Sequence, residues 1–146
     1  LYHRRSGPIA DSTARHATLD EVFSTCDVVS LHAPLTDSTR HLVGAAQLAQ
    51  MKPGAFLINT SRGGLVDEAA LTTALENRAI AGAGLDVFAQ EPVNSDNPLL
   101  ALDNVVALPH IGGRTDDNLA RMVSHWAANI RAFDAGQGID AECIVP

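Results

Sequence analysis

Three apolar, strand-like runs of the sequence are each followed within a few residues by a polar group, namely Arg62, Glu91 and His110. In an open parallel α/β sheet, ligands bind outside the carboxyl ends of the strands, so we expect these side chains to share one sheet edge. The guanidinium of Arg62 is a planar fork of donors that matches a carboxylate or carbonyl oxygen. His110 can transfer a proton near neutral pH, and Glu91 beside it would fix its orientation. The combination predicts a site for a small 2-oxo acid.

Each of these residues also has a structural interpretation. Arg62 could bind a phosphate or form a surface ion pair, Glu91 could be a solvated loop acid, and His110 could be a turn histidine. The expected placement of all three at one sheet edge favours the chemical interpretation.

The elements that would position these residues alternate between β-rich runs and helical patterns from residue 27 onward, which is typical of βαβ units in a mostly parallel sheet. Strands are predicted at 27–31, 55–59, 80–87 and 105–108, and helices at 45–51, from Asp67 to about Asn77, and after Thr115. The apolar stripe of the last helix is predicted to be core; it consists of Leu119, Met122, Val123, Trp126, Ile130 and Phe133.

Composition and charge exclude several classes of function. The 146 residues carry 17 acidic and 10 basic side chains, a formal net charge of −7, which would repel nucleic acid and anionic lipid. No apolar run approaches the roughly 18 residues of a membrane span, and the first residues do not form a signal peptide, so a cytoplasmic location is expected. Cys26 and Cys143 are expected to be reduced packing residues, and the spacing of the six histidines predicts no metal site.

Six stretches form a pattern in chain order: LHAPLT (31–36), KPGA (52–55), INTSRGGLVDE (58–68), GAGLDVF (82–88), EP (91–92) and PHIG (109–112). On these stretches the chain resembles the D-isomer-specific 2-hydroxyacid dehydrogenases. The resemblance implies a Rossmann-type doubly wound parallel sheet and NAD(P)-dependent reduction of a small 2-oxo acid to the D-2-hydroxy acid. The two ends of the chain look most like glyoxylate/hydroxypyruvate reductases. Formate dehydrogenases of this superfamily have glutamine where Glu91 stands, so that activity is not expected.

The resemblance also implies roles for individual residues. Arg62 would bind the substrate carboxylate and carbonyl, His110 would protonate the carbonyl oxygen, and Glu91 would tune His110. The dinucleotide would be lined by the backbone around Ala33 and Pro34, and by Thr60, Asp86, Gly112 and Gly113. A homodimer formed through the nucleotide-binding domains is implied as well.

The chain has no G-x-G-x-x-G motif, the phosphate loop of this fold. We therefore expect residues 1–138 to be the carboxyl-terminal part of a dinucleotide-binding domain, and 139–146 a tail returning to a substrate domain outside the sequence. These 146 residues alone are expected to be inactive. The sequence is expected to open inside the second strand, at Leu1-Tyr2-His3, so that the first strand, which is central in the order 3-2-1-4-5-6, is missing. Segments 1–4 and 27–31 are therefore expected to be cut off from the strands at 55–108.

The cofactor preference is predicted from the first residues of the chain. An acid at the end of the second strand would accept the ribose 2′-OH of NAD, whereas arginine there pairs with the 2′-phosphate of NADP. Arg4 and Arg5 follow Tyr2-His3, and no acid comes before Asp11. NADPH is therefore favoured over NADH, although two solvated loop arginines are the simpler alternative.

A second class of function is compatible with the same residues. Transcriptional corepressors of this fold are non-catalytic dinucleotide sensors that can retain the Arg, Glu and His. Oxidation of a reduced cofactor on addition of glyoxylate or hydroxypyruvate distinguishes an enzyme from a sensor.

Overall fold

The computed structural model of the protein describes residues 1–10 and 13–138. The chain divides into two compact units, Leu1–His110 and Ile111–Pro146. The first unit contains helices α1 (Leu19–Thr25), α2 (Ala45–Gln50) and α3 (Glu68–Glu76), strands β1 (Val28–Leu31), β2 (Phe56–Asn59), β3 (Gly82–Leu85) and β4 (Val105–Ala107), and 3-10 helices at Gly63–Leu65 and Pro98–Ala101. The second unit contains helix α4 (Asp116–Asp134).

The four strands form one parallel sheet in the order β1-β2-β3-β4. Each strand follows a helix or a loop that returns the chain to the same end of the sheet, so all four carboxyl ends lie at one edge. The parallel α/β sheet predicted from the alternating pattern is therefore confirmed.

The expectation that segment 27–31 is cut off from the later strands is wrong. Val28 pairs with Phe56 and Leu31 pairs with Asn59, so β1 and β2 are direct parallel neighbours. The strand-like segment at His16 consists of a single parallel bridge to Tyr2. It is too short to give a period-two sequence pattern, and for this reason β1 is misplaced in the strand order. When the segment at His16 is counted as the third strand, β1 becomes the fourth strand of the 3-2-1-4-5-6 order. The fourth strand lies beside the fifth in that order, as β1 lies beside β2 here.

The core of the first unit lies between one face of the sheet and its helices. Alternate strand residues such as Val29, Leu57 and Leu85 are buried together with Phe23 of α1 and Leu71 of α3. Burial of such aliphatic and aromatic side chains stabilises the fold by roughly 1.5–3 kcal/mol each. The helices and the sheet therefore form one rigid support for the loops at the carboxyl ends of the strands.

Helix α3 begins where the sequence predicts. The Asp67 carboxylate accepts hydrogen bonds from the backbone N–H groups of Ala69 and Ala70, at 3.1 and 3.2 Å. These bonds satisfy donors that have no partner inside the helix.

Helix α4 begins after Thr115, whose side chain accepts from the backbone N–H of Asn118 at 3.2 Å. The prediction that its apolar stripe is core is wrong for the described residues. Trp126, Ile130 and Phe133 are 55%, 69% and 73% exposed, and no residue of α4 is buried. Helix α4 has the predicted helical period, but the described part of the second unit contains no other helix or strand against which that face could pack.

The tail predicted at 139–146, including Cys143, lies outside the described residues. Cys26 is a free, half-buried thiol that packs against the core. Within residues 1–10 and 13–138, no helix has both the length and the apolar character that a membrane span requires.

Candidate active site

The structure brings Glu91 and His110 into direct contact. His110 Nδ1 lies 2.7 Å from Glu91 Oε2, and the two side chains are 47% and 37% exposed. The other carboxylate oxygen of Glu91 accepts a hydrogen bond from the backbone N–H of Phe88 at 3.0 Å. Glu91 therefore uses one oxygen to fix its own loop and the other to hold the imidazole.

These contacts lower the pKa of Glu91 below its ordinary value. The hydrogen bond to His110 has the largest effect, followed by the Phe88 amide, and the positive charge of Arg62 acts in the same direction. Because each contact favours the ionised carboxyl, Glu91 is an anion throughout the neutral range.

His110 sits at the end of β4 in an uncommon backbone conformation. Its φ is +56°, in the left-handed region that non-glycine residues seldom adopt. Residues held in such conformations cluster at active sites, where the backbone aims a side chain in a particular direction. Here the result is an imidazole bonded through Nδ1 to Glu91, which leaves Nε2 as the nitrogen that faces away from that partner.

Arg62 is held by a hydrogen-bonded turn after β2. Asn59, only 1% exposed, donates from Nδ2 to the Arg62 carbonyl at 3.0 Å and accepts from the Ser61 N–H at 3.1 Å. Ser61 Oγ donates to the carbonyl of Leu31 at 2.7 Å, which ties the turn to β1. The Arg62 side chain remains exposed, and its Nη1 donates to the Ser61 carbonyl at 2.7 Å. One terminal nitrogen of the guanidinium is thus bonded to the turn, while the side chain as a whole is exposed.

The turn that carries Arg62 packs directly on the segment that leads to Glu91. A Cβ at Gly63 would lie 1.9 Å from the Phe88 carbonyl carbon, so only glycine allows this approach. The strand ends of β2 and β3 therefore meet backbone to backbone beneath the site.

Glu68 is a residue of this region to which the sequence analysis assigned no role. Its Oε1 accepts from the Ala89 N–H at 2.5 Å and its Oε2 accepts from Asn97 Nδ2 at 3.1 Å. It was visible in the sequence only as the last residue of the stretch 58–68, because contacts with a loop about 20 residues downstream have no local signal.

Arg4, Arg5, Ala33 and Pro34, four of the residues predicted to bind cofactor, line one cavity of about 1090 Å³ in the first unit. Arg5 Nη1 donates to Ser38 Oγ at 2.8 Å. The hydroxyl of Ser38 is in turn 3.0 Å from that of Thr36, and Thr39 Oγ1 donates to the Pro34 carbonyl at 2.7 Å. Ser38 is a further cavity residue that the sequence analysis did not identify.

The donor set of this cavity fits a dinucleotide. Guanidinium groups and hydroxyls on one wall of the cavity are suited to phosphate and ribose oxygens. The outer edge of β1 also lines the cavity, and the described residues show no backbone pairing between Tyr2 and that edge.

The other predicted cofactor residues do not line this cavity. Thr60 is exposed after β2, and Asp86 is 4% exposed directly after β3. Gly112 and Gly113 belong to the second unit, where the Gly113 carbonyl accepts from Asn118 Nδ2 at 2.6 Å. Among the described residues there is also no cluster of His, Cys, Asp or Glu that could hold a metal ion.

Comparison with known proteins identifies the class to which this fold and site belong. Residues 1–112 match the family described as D-isomer specific 2-hydroxyacid dehydrogenase, NAD binding domain. The chain is a member of the D-isomer-specific 2-hydroxyacid dehydrogenase family.

Individual relatives narrow the comparison. The chain is 47% identical to glyoxylate/hydroxypyruvate reductase B of Citrobacter koseri, over all of this chain and 46% of that protein. It is 48% identical to the reductase of the same name from Pectobacterium carotovorum, over 91% of this chain and 41% of the relative. The chain thus spans about half the length of the curated relatives that it matches.

Solved structures show the same similarity. An NADPH-dependent glyoxylate/hydroxypyruvate reductase from Sinorhizobium meliloti, in complex with NADP and malonate, superposes with a TM-score of 0.83 at 38% identity, over 90% of this chain and 41% of that one. A glyoxylate reductase from a Paecilomyces fungus superposes with the same TM-score and identity, over 90% of this chain and 40% of that one.

Proposed function

We propose that the protein containing this chain reduces a small 2-oxo acid, either glyoxylate to the achiral glycolate or hydroxypyruvate to the corresponding D-2-hydroxy acid. The observation that carries the proposal is the 2.7 Å contact between His110 and Glu91, at the sheet edge that also presents Arg62. The similarity to reductases of that name supports the choice of substrate.

A nicotinamide dinucleotide, when bound, would supply the hydride for this reaction. Arg62 binds the substrate carboxylate and carbonyl oxygen through its planar fork of donors. His110 donates a proton to the carbonyl oxygen, so that hydride and proton together convert the carbonyl to an alcohol. Glu91 accepts from the Nδ1–H, which orients the ring.

The cavity in the first unit favours NADPH as the reductant. Arg4 and Arg5 place two permanent positive charges on its wall, and Ser38 supports the second of them at 2.8 Å. A 2′-phosphate would form charge-assisted hydrogen bonds with these guanidinium groups, whereas the 2′-OH of NADH offers no anion. The S. meliloti relative is described as NADPH-dependent. The homodimer and the cytoplasmic location stay predictions of the sequence analysis.

The test is oxidation of NADPH, followed by its absorbance, when glyoxylate or hydroxypyruvate is added to the complete protein in which this chain occurs. We expect turnover with at least one of these acids and none without an oxo acid. Cofactor binding with no turnover on any small 2-oxo acid would instead indicate the non-catalytic sensor.

A further inference from the structure

We propose that Glu68 is a positioning residue of the active site, which holds Glu91 against His110 by fixing both ends of the loop that carries Glu91. The inference rests on the proposed function, because it assigns Glu68 a role in the same proton transfer. Glu68 lies at the start of α3, and its carboxylate bonds to Ala89 and Asn97 rather than to His110.

The first contact fixes the loop where it leaves β3. Two consecutive backbone N–H groups, those of Phe88 and Ala89, donate to two different carboxylates, Glu91 and Glu68 respectively. Since the two N–H groups belong to adjacent peptide units joined at the Phe88 Cα, an oxygen of Glu68 at Ala89 restricts the direction of the Phe88 amide. The Phe88 amide in turn holds Glu91 Oε1 at 3.0 Å.

The second contact fixes the far end of the same loop. Glu68 Oε2 accepts from Asn97 Nδ2 at 3.1 Å, while Asn97 Oδ1 accepts from the Leu99 N–H at 3.0 Å and caps the 3-10 helix that follows. Leu99 is fully buried, so this end of the loop is tied to the core. One carboxylate therefore spans the loop from residue 89 to residue 97.

Backbone packing makes this support rigid from the opposite side. Gly63 lies so close to Phe88 and Ala89 that no side chain atom fits between them. The peptide between Phe88 and Ala89 is consequently held between the Arg62 turn and the Glu68 carboxylate. The same clamp fixes the relative positions of the substrate-binding arginine and the carboxylate partner of His110.

A purely local role does not explain these contacts. An acid in the first turn of α3 interacts favourably with the helix dipole wherever its carboxylate points. Glu68 instead directs both oxygens to the loop that carries Glu91, and hydrogen bonds to an ionised carboxylate are stronger than neutral ones.

The variants Glu68→Ala and Glu68→Gln test the proposal in the complete protein. Glu68→Ala removes both contacts, whereas Glu68→Gln retains an acceptor for Ala89 and lacks the negative charge. Glu76→Gln, an exposed acid at the other end of α3, is the matched control. Asn97→Ala removes only the far contact and serves if Glu68→Ala does not fold.

We expect Glu68→Ala to lower kcat about 10- to 100-fold, because misplacement of a catalytic group by about 1 Å costs that much. KM for NADPH stays unchanged. The groups facing Glu91 are the Phe88 N–H, His110 and Arg62. When the Phe88 N–H and His110 move away from Glu91, the pKa of Glu91 rises toward its ordinary value. The acid limb of the pH profile of kcat/KM therefore shifts to higher pH. Glu68→Gln and Asn97→Ala shift the acid limb in the same direction, but by less than Glu68→Ala does.

An unchanged kcat and an unchanged acid limb in Glu68→Ala would overturn the proposal. The proposal would also be overturned if the lower kcat of Glu68→Ala were fully explained by a smaller folded fraction of the protein and its acid limb were unchanged. His110→Gln separates this failure from that of the proposed function. If His110→Gln is inactive and Glu68→Ala is normal, only the role of Glu68 is wrong, whereas a fully active His110→Gln contradicts the proposed function itself.

Discussion

His110 and Glu91 are 19 residues apart in the chain, yet His110 Nδ1 and Glu91 Oε2 lie 2.7 Å apart. Glu91 follows β3 and His110 follows β4. These strands are adjacent and parallel, so their carboxyl ends lie side by side. The contact occupies Nδ1 and leaves Nε2 for a ligand. An acid and a base held in this way constitute a proton donor whose orientation is set by the protein.

Glu91→Gln should remove the acid limb of the pH profile of kcat/KM. In the wild type the pKa of Glu91 lies below its ordinary value of 4.5, because the ionised form is bonded to His110 and Phe88. The pair is therefore intact above pH 4.5 and is lost only as the pH falls through the lowered pKa.

We expect Glu91→Gln to lower kcat about 10- to 100-fold at pH 7, within the range of a general acid–base contribution. The measurement is kcat/KM for the oxo acid between about pH 3.5 and 8, with cofactor saturating. An acid limb identical to that of the wild type would mean that another group is responsible for it.

Arg62→Lys should weaken productive binding of the oxo acid. A lysine ammonium keeps the positive charge but cannot donate two parallel hydrogen bonds to the carboxylate. The expected result is a fall in kcat/KM, with unchanged binding of NADPH measured by fluorescence. Arg121→Gln, an exposed arginine in α4, is the control for general loss of positive charge. If Arg62→Lys and the wild type have equal kcat/KM, Arg62 does not bind the substrate carboxylate through two parallel hydrogen bonds.

Replacement of both Arg4 and Arg5 by glutamine should lower the affinity for NADPH and leave that for NADH nearly unchanged. Each charge-assisted hydrogen bond lost costs about 1.5–3 kcal/mol. The measurement is the ratio of kcat/KM with NADPH to kcat/KM with NADH. This ratio should fall in the double variant. Ser38→Ala, which releases Arg5 from its 2.8 Å contact, should change the ratio in the same direction by less. A wild-type protein that prefers NADH would show that the two arginines are only a basic edge of an acidic protein.

Local patterns were sufficient to predict those elements whose determinants are close in sequence. Asp67 caps α3 as its type and position indicate, and the apolar runs before Asn59 and Asp86 form adjacent parallel strands. The expectation that Glu91 and His110 lie near each other needed only the rule that parallel strands end at one edge.

Features that depend on distant segments could not be predicted in this way. The neighbour of β1 was misplaced because the strand-like contact at His16 is one bridge long and leaves no alternation to detect. The contacts of Glu68 with Ala89 and Asn97 connect residues 21 and 29 positions apart, and no pattern in the sequence relates them. The apolar stripe of α4 was recognised by its period, but a period does not reveal whether that face is covered.

The central claim is that His110 is the proton donor in the reduction of a 2-oxo acid, and the most direct measurement is the single-turnover rate of NADPH oxidation by His110→Gln. Glutamine keeps the polar character and approximate size of the side chain but cannot deliver a proton near neutral pH. We expect the rate to fall by roughly 10²–10⁴ relative to wild type, with NADPH binding nearly unchanged and with His125→Gln, a control on α4, at the wild-type rate. A His110→Gln variant that turns over at a rate close to that of the wild type would contradict the account.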